Sequence, residues 1–408
     1  MNAAELSLSD IRWSVRPIHL PDSEEYLYDL ENISMATVGV VDSMESNRFF
    51  DEACQMIANS IQMFQQGYFD AAFYSLRQSI ETSIGTLYLT ANPDKMQAWN
   101  KLEPGFESGK MANYLRANEP VFMDMVSKMQ PFFDRVRRVQ QDTNKYVHKQ
   151  GYKTFYVTKR ISYSDDRLKK VYNRILDDFV QILKTAIGAV AVYRLAIDPL
   201  PVLLMDDDIL QRTGDLLTEP YSQGFVDKYI GQDAIDSYKE TDLYLSHKDF
   251  FLQKEKQNES IYTLIHYQII ERKHIEQLLE QIHLLSLYDR IALLFAVMSP
   301  NISRIFIGGV FSYTTDTQPK NSSITIGESY YAELFENQPD YNVIFNEVAF
   351  ISRFKVGEEF SYVESNEPLG DDEISGLCTV SEMFYDIAKK YETDLDEFLK
   401  KLSIEMCF

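Results

Sequence analysis

The residues with the clearest chemistry lie together, just before the middle of the chain. His148 carries the one side-chain type whose ordinary pKa lies near neutrality, so it can serve as a general acid or base. Asn144, one helical turn earlier, can orient the imidazole or bind a phosphate oxygen. Between Arg135 and Arg160 there are eight cations, and Asp142 is the only acid. That local charge of +7 sits in a chain of net charge −22. A reversal of this size suits a site for phosphate, nucleotide or RNA backbone. A solvated face pairing with acidic neighbours, such as a partner domain of the same chain, would give the same pattern.

Helical geometry sorts these side chains. With Phe132 as reference, Val136, Val139, Thr143, Tyr146 and Val147 fall within about 60° and form a core face. Asn144, Arg137, His148 and Gln141 fall at roughly 120°, 140°, 160° and 180°, a polar strip beside that core. Arg138, Lys145 and Lys149 add positive charge to the same helix. The expected anion-binding set is therefore Arg137, Arg138, Gln141, Lys145 and Lys149, with His148 and Asn144 as the catalytic pair. Arg77, on an earlier helix, is a further candidate, although Glu81 four residues on shares its face and offers a simpler partner.

Other signals carry less. Gly105–Met111 has the look of a phosphate loop but has three residues between its glycines, Met111 in the magnesium position and no preceding strand. His266, His274 and His283 are spaced eight and nine residues apart and cannot share a metal-binding face of one helix. Asp206-Asp207-Asp208 reads as a helix cap. Gly308-Gly309, within a β-like run, reads as a bulge or turn. Neither a metal nor a cofactor is called for.

The elements that must position the site follow from periodicity. Residues 1–48 form an irregular arm, with a short strand expected near 36–41. Ala53, Ile57, Ile61 and Phe64 mark a helix ended by Gly67. Phe69, Ala72, Phe73, Leu76, Ile80, Ile84 and Leu87 mark its antiparallel neighbour, ended by Asn92-Pro93. Further helices are expected near 111–116, 120–129 and 131–149, the last stopped by Gly151. An extended piece at 154–158 precedes a long helix over 165–197. Asp198-Pro199-Leu200-Pro201 breaks the chain and sets the expected domain boundary. Beyond it, 259–298 reads as one or two helices. Strands are expected at 304–313, 323–327, 343–350 and 354–362, with 328–336 as helix. A helix at 377–391 and a last short helix capped by Thr393 close the chain. The fold class is thus mainly α: an arm (1–48), an antiparallel helical bundle (49–200), and an α+β domain with long helices and a small antiparallel sheet (201–408).

Composition bounds the remainder. At 45% hydrophobic and 25% charged residues the chain is of the globular kind. Its acidity argues against coating nucleic acid or anionic membrane with the whole surface. Cys54, Cys378 and Cys407 are sparse and odd in number, which suits isolated thiols in a reducing cytoplasm. The first ten residues lack the basic and apolar regions of a signal peptide. No apolar run reaches the roughly 20 residues of a bilayer span.

The run Asp142-Thr143-Asn144-Lys145-Tyr146-Val147-His148 resembles the motif of the HEPN superfamily, whose usual form is Arg-Asn-x-x-x-His near the end of a helical bundle. The stretch Tyr68–Tyr88, with Arg77 and Glu81 after the turn at Gln66-Gly67-Tyr68, is similar to that family's second helix. The likeness covers about residues 50–198. It implies a prokaryotic stress or phage-defence protein, usually a homodimer, and in catalytic members a metal-independent ribonuclease. By position His148 would be the acid/base and Asn144 its polar partner. The family's arginine falls on Thr143, which cannot hold a phosphate by paired hydrogen bonds or stabilise developing negative charge. Arg137 lies about 16 Å from His148 along one helix, so it could replace that arginine only across a dimer. Three readings follow: a module binding RNA or another phosphate-bearing partner around His148, a ribonuclease using it, or a non-catalytic scaffold binding protein.

Overall fold

A computed structural model describes residues 17–39, 43, 45–149, 165–213, 218–309, 311–320, 331, 334–336, 338–345 and 348–405. The extended piece expected at 154–158, the strand at 323–327 and Lys153, Lys159 and Arg160 lie outside the described residues. The chain divides into two compact units, 1–254 and 255–408. The break at 198–201, expected to separate domains, is a corner within the first unit. Beyond it, Tyr221, Phe225, Tyr229, Ile235 and Tyr238 join the same buried core as the bundle.

The first unit is helical. Two short helices, α1 (Ser23–Asp29) and α2 (Glu31–Ser34), occupy the arm. Of the strand expected there, only a single bridge between Ala36 and Thr218 is present among the described residues. The arm is tied down instead by Lys228, which reaches Glu25 and Asp29 at 2.6 and 2.7 Å. Helices α3 (Ser46–Gln65) and α4 (Phe69–Ala91) form the expected antiparallel pair. Gly67 between them takes φ 88°, which an L side chain resists. All seven positions of the α4 stripe are buried. So are Ser79, Ser83 and Thr86, whose hydroxyls bond back to carbonyls of their own helix. Small residues satisfied in this way let neighbouring helices pack closely.

Helices α5 (Met96–Asn100), α6 (Ser108–Asn118), α7 (Pro120–Lys128) and α8 (Gln130–Val147) follow, then α9 (Asp165–Leu195). Trp99 of α5 packs on Phe49, with ring centroids 5.1 Å apart. Phe179 of α9 stacks on Phe64 of α3 at 3.8 Å and meets Phe73 of α4 edge-on. The unit closes with α10 (Leu200–Leu203), α11 (Asp207–Leu210), α12 (Gln223–Phe225), a π-helical turn Val226–Ile230, α13 (Gln232–Tyr238) and α14 (Asp242–Leu252). Asp206 caps α11 as expected, accepting the Asp208 N–H at 3.0 Å.

The second unit sets helices against a six-stranded mixed sheet in the order β1-β3-β2-β6-β5-β4. Its helices are α15 (Glu259–Tyr267), α16 (Ile275–Glu280), α17 (Leu287–Met298) and α18 (Asp371–Glu405). Its strands are β1 (Ile269–Ile270), β2 (Ile302–Ile307), β3 (Phe311–Thr315), β4 (Val343–Phe345), β5 (Ala349–Val356) and β6 (Glu359–Ser365). The sheet is not wholly antiparallel, because β1 runs parallel to β3. The region 259–298 is more broken than one or two helices. Gln268, at φ 55°, ends α15, and Ser286 starts α17 with a capping box through Asp289.

The three expected strands that fall on described residues each span a turn. Gly308 and Gly309, at φ 63° and 66°, split 304–313 into the β2–β3 hairpin. Gly357 splits 354–362 between β5 and β6, and 343–350 contains the reversal between β4 and β5. The tail is one 35-residue helix. Thr393 does not cap a separate helix; its hydroxyl bonds to the Lys389 carbonyl within α18.

Candidate anion site at the end of α8

Helix α8 begins at Gln130-Pro131, where a proline in the first turn costs no hydrogen bond. It ends earlier than the glycine at 151 suggested. Lys149 turns left-handed at φ 51° and leaves His148 as the C-cap, its N–H on the Asn144 carbonyl at 2.9 Å. Phe132, Val136, Val139 and Thr143 are buried as the helical wheel requires, while Tyr146 and Val147 are only half-buried. Tyr146 lies flat on Phe73 of α4, with centroids 4.3 Å apart, and its hydroxyl donates to Asp178 at 2.8 Å. Burial and this carboxylate push the tyrosine pKa up.

One turn beyond Phe73, α4 presents Arg77 to the end of α8. Its Nη1 lies 3.2 Å from His148 Nε2, and its Nε donates to Glu81 Oε1 at 2.7 Å. A guanidinium can only donate, so in this contact Nε2 is the accepting nitrogen. The Arg77–Glu81 pair is about one-fifth exposed at each end, so it is less screened than an open surface pair. His148 itself is exposed. Lys149 pairs with Asp70 at the start of α4. Asn144 is half-buried, and its Oδ1 is enclosed without a hydrogen-bond donor among the described residues.

Thr143, which stands where the HEPN motif has arginine, is fully buried and bonds back to Val139 and Gln140. The charge beside His148 comes from α4 instead.

The remaining cations of α8 do not gather there. Arg137 is exposed and pairs with Asp134 at 2.8 Å; Gln141 is exposed. Arg138 and Lys145 lie on the opposite flank, lining a groove of about 510 Å³ between α8 and α9. Lys145 pairs with Asp142 at 2.6 Å, while among the described residues Arg138 Nε reaches only the Asp134 carbonyl. Arg135 is a structural cation. It donates to the carbonyls of Tyr229 and Ile230 at 3.4 and 2.9 Å and so docks the π-helical turn onto α8.

Sequence reasoning missed Arg174 of α9, which lines the same groove. An exposed arginine beside an apolar position gave no signal. Among the described residues no group of His, Cys, Asp and Glu side chains is arranged to hold a metal. His274 pairs with Glu271, and His283 with Glu255.

Comparison with protein-family models, with curated proteins and with solved structures finds no match to this chain. Among the described residues, no helix is long and apolar enough to cross a membrane.

Proposed function

We propose that the first unit is a HEPN-like RNA-binding module in which Arg77 and His148 receive a backbone phosphate, within a stress or phage-defence system. The 3.2 Å contact between Arg77 and His148 carries this reading. It puts a permanently charged, fork-shaped donor beside the imidazole, the role that Thr143 cannot fill. Glu81 holds Nε and leaves the outer nitrogens to face the ring. Lys149 adds a second cation, and its pair with Asp70 is half-exposed, the kind of surface pair worth little against a phosphate.

The direction of this contact favours a second reading, metal-independent cleavage. A phosphate that draws Arg77 away frees Nε2 to take the 2′-hydroxyl proton. The 2′-oxygen then attacks the adjacent phosphorus, the bond to the 5′-oxygen breaks, and a proton from the imidazole goes to that leaving oxygen. The products are a 2′,3′-cyclic phosphate and a 5′-hydroxyl.

The test compares wild type, His148→Ala and Arg77→Gln with total RNA in EDTA. Binding should weaken steeply with salt and fall by about tenfold or more in Arg77→Gln. Cleavage by wild type but not by His148→Ala establishes the ribonuclease; binding without cleavage leaves the module. RNA affinity indifferent to Arg77→Gln would sink both readings.

A further inference from the structure

Helix α8 carries charge on two flanks, and only one faces Arg77. The other faces α9 across the groove that holds Arg135, Arg138 and Lys145 on one wall and Arg174 on the other. We infer that this groove is a second anion site, separate from His148, for a small solute bearing a diphosphate or phosphate monoester.

Four cations share the groove with two carboxylates, Asp142 and Asp178, which leaves a net excess of positive charge. One carboxylate is already engaged, since Asp178 accepts the Tyr146 hydroxyl at 2.8 Å. The other, Asp142, pairs with Lys145, but both ends of that pair are more than half exposed. Such a pair is worth little and gives way to a doubly charged phosphate. Arg174 makes no hydrogen bond or ion pair among the described residues and is exposed. Arg138 spends one nitrogen on a backbone carbonyl and has its outer nitrogens to offer.

The cations also crowd one another. Arg135 is half-buried, its Nε is enclosed without a partner, and burial together with the charge of Arg138 draws its pKa down. An anion between these guanidinium groups would relieve that repulsion. The groove, at about 510 Å³, lies within the range of small-ligand sites. Arginine forks on two facing helices can grip a phosphate from both sides, which a solvated helix face does not do.

Pyrophosphate is the probe, in equilibrium dialysis against the full chain at low ionic strength. Saturable binding is expected that weakens with salt. Arg138→Gln and Arg174→Gln should each cost about tenfold or more in affinity. Both side chains are exposed, so the fold should persist, which a thermal melt of each variant checks. Asp142→Asn removes the competing carboxylate and should tighten binding severalfold. In an Arg77→Gln background, where the RNA site is disabled, the remaining pyrophosphate binding should still depend on Arg138 and Arg174, which separates this groove from the RNA site. No saturable binding, binding indifferent to the paired Arg138→Gln and Arg174→Gln changes, or affinity that fails to rise in Asp142→Asn would overturn the assignment. Loss of all saturable binding in Arg77→Gln would do so too.

Discussion

Arg194 is among the largest fully buried side chains of the described protein, in the core at the end of α9. None of its guanidinium nitrogens has a hydrogen-bond partner among the described residues, nor has Oδ2 of Asp198, four residues on. The Phe50 ring lies 6.0 Å from the guanidinium carbon. Burial draws the arginine pKa down and pushes the Asp198 pKa up, and each charge partly offsets the burial of the other. Removing one of two opposite buried charges leaves the other uncompensated, at up to about 3–5 kcal/mol, whereas replacing both by uncharged groups is often nearly neutral. Asp198→Asn keeps the acceptor for the Leu200 N–H, yet it should cost about 3 kcal/mol in urea unfolding. Adding Arg194→Met should recover most of that loss; two additive penalties would show that the charges do not compensate each other. At this scale the sequence was readable where type and spacing coincide. His148, Asn144, Arg77 and Glu81 stood out because their chemistry is rare or their spacing is that of one helix face. Which flank of α8 each cation occupies depended on which helices lie beside it, and no spacing within α8 encodes that. Arg174 was invisible for the same reason.

Helices pack where their surfaces allow, and Gly188 decides one such contact. A Cβ at this position of α9 would collide with the Tyr229 backbone carbonyl in the π-helical turn. The same turn is also held by Arg135, which bonds to the Tyr229 and Ile230 carbonyls. Gly188→Ala should therefore destabilise the first unit by about 1–3 kcal/mol, the usual cost of overpacking, with a lower urea midpoint and an unchanged slope. In the second unit the β5–β6 turn is clamped to α18. Glu358 meets Lys389 and Lys355 at 2.5 and 3.2 Å and Tyr385 at 3.2 Å. These partners hold its carboxyl down at about 2. A depressed acid contributes stability that is complete above its unfolded pKa, about 4.3, and is lost as pH falls toward the folded one. The thermal midpoint of the second unit should thus fall between pH 4.5 and 2, and less steeply in Glu358→Gln. An identical pH profile in that variant would exclude the clamp. The long helices were legible because their apolar stripes run for several turns. The strands at 304–313, 343–350 and 354–362 were misplaced because each is a β-rich run crossing a tight reversal, and at two of the three a glycine among β-formers changes the chain's direction without breaking its composition.

The whole chain is two units with separate cores, one built around α3, α4 and α9, the other between the sheet and α17 and α18. Residues 252–256 between them are exposed. Trypsin should cut first at Lys254 or Lys256, leaving fragments close to 254 and 154 residues long. A first cut inside either core would contradict the division. The proline-rich corner at 198–201 misled the sequence reading because proline marks a change of direction, and a change of direction is not a change of core. Of the two tryptophans, Trp99 lies among the described residues, in the first unit, where it sits against Phe49 beside α4. The indole emission of Trp99 therefore reports on the first unit, and the C-terminal 154 residues contain no tryptophan. Far-ultraviolet dichroism hears both units. A denaturation followed by the two signals in parallel would reveal, from one unlabelled sample, whether the halves melt together or in turn.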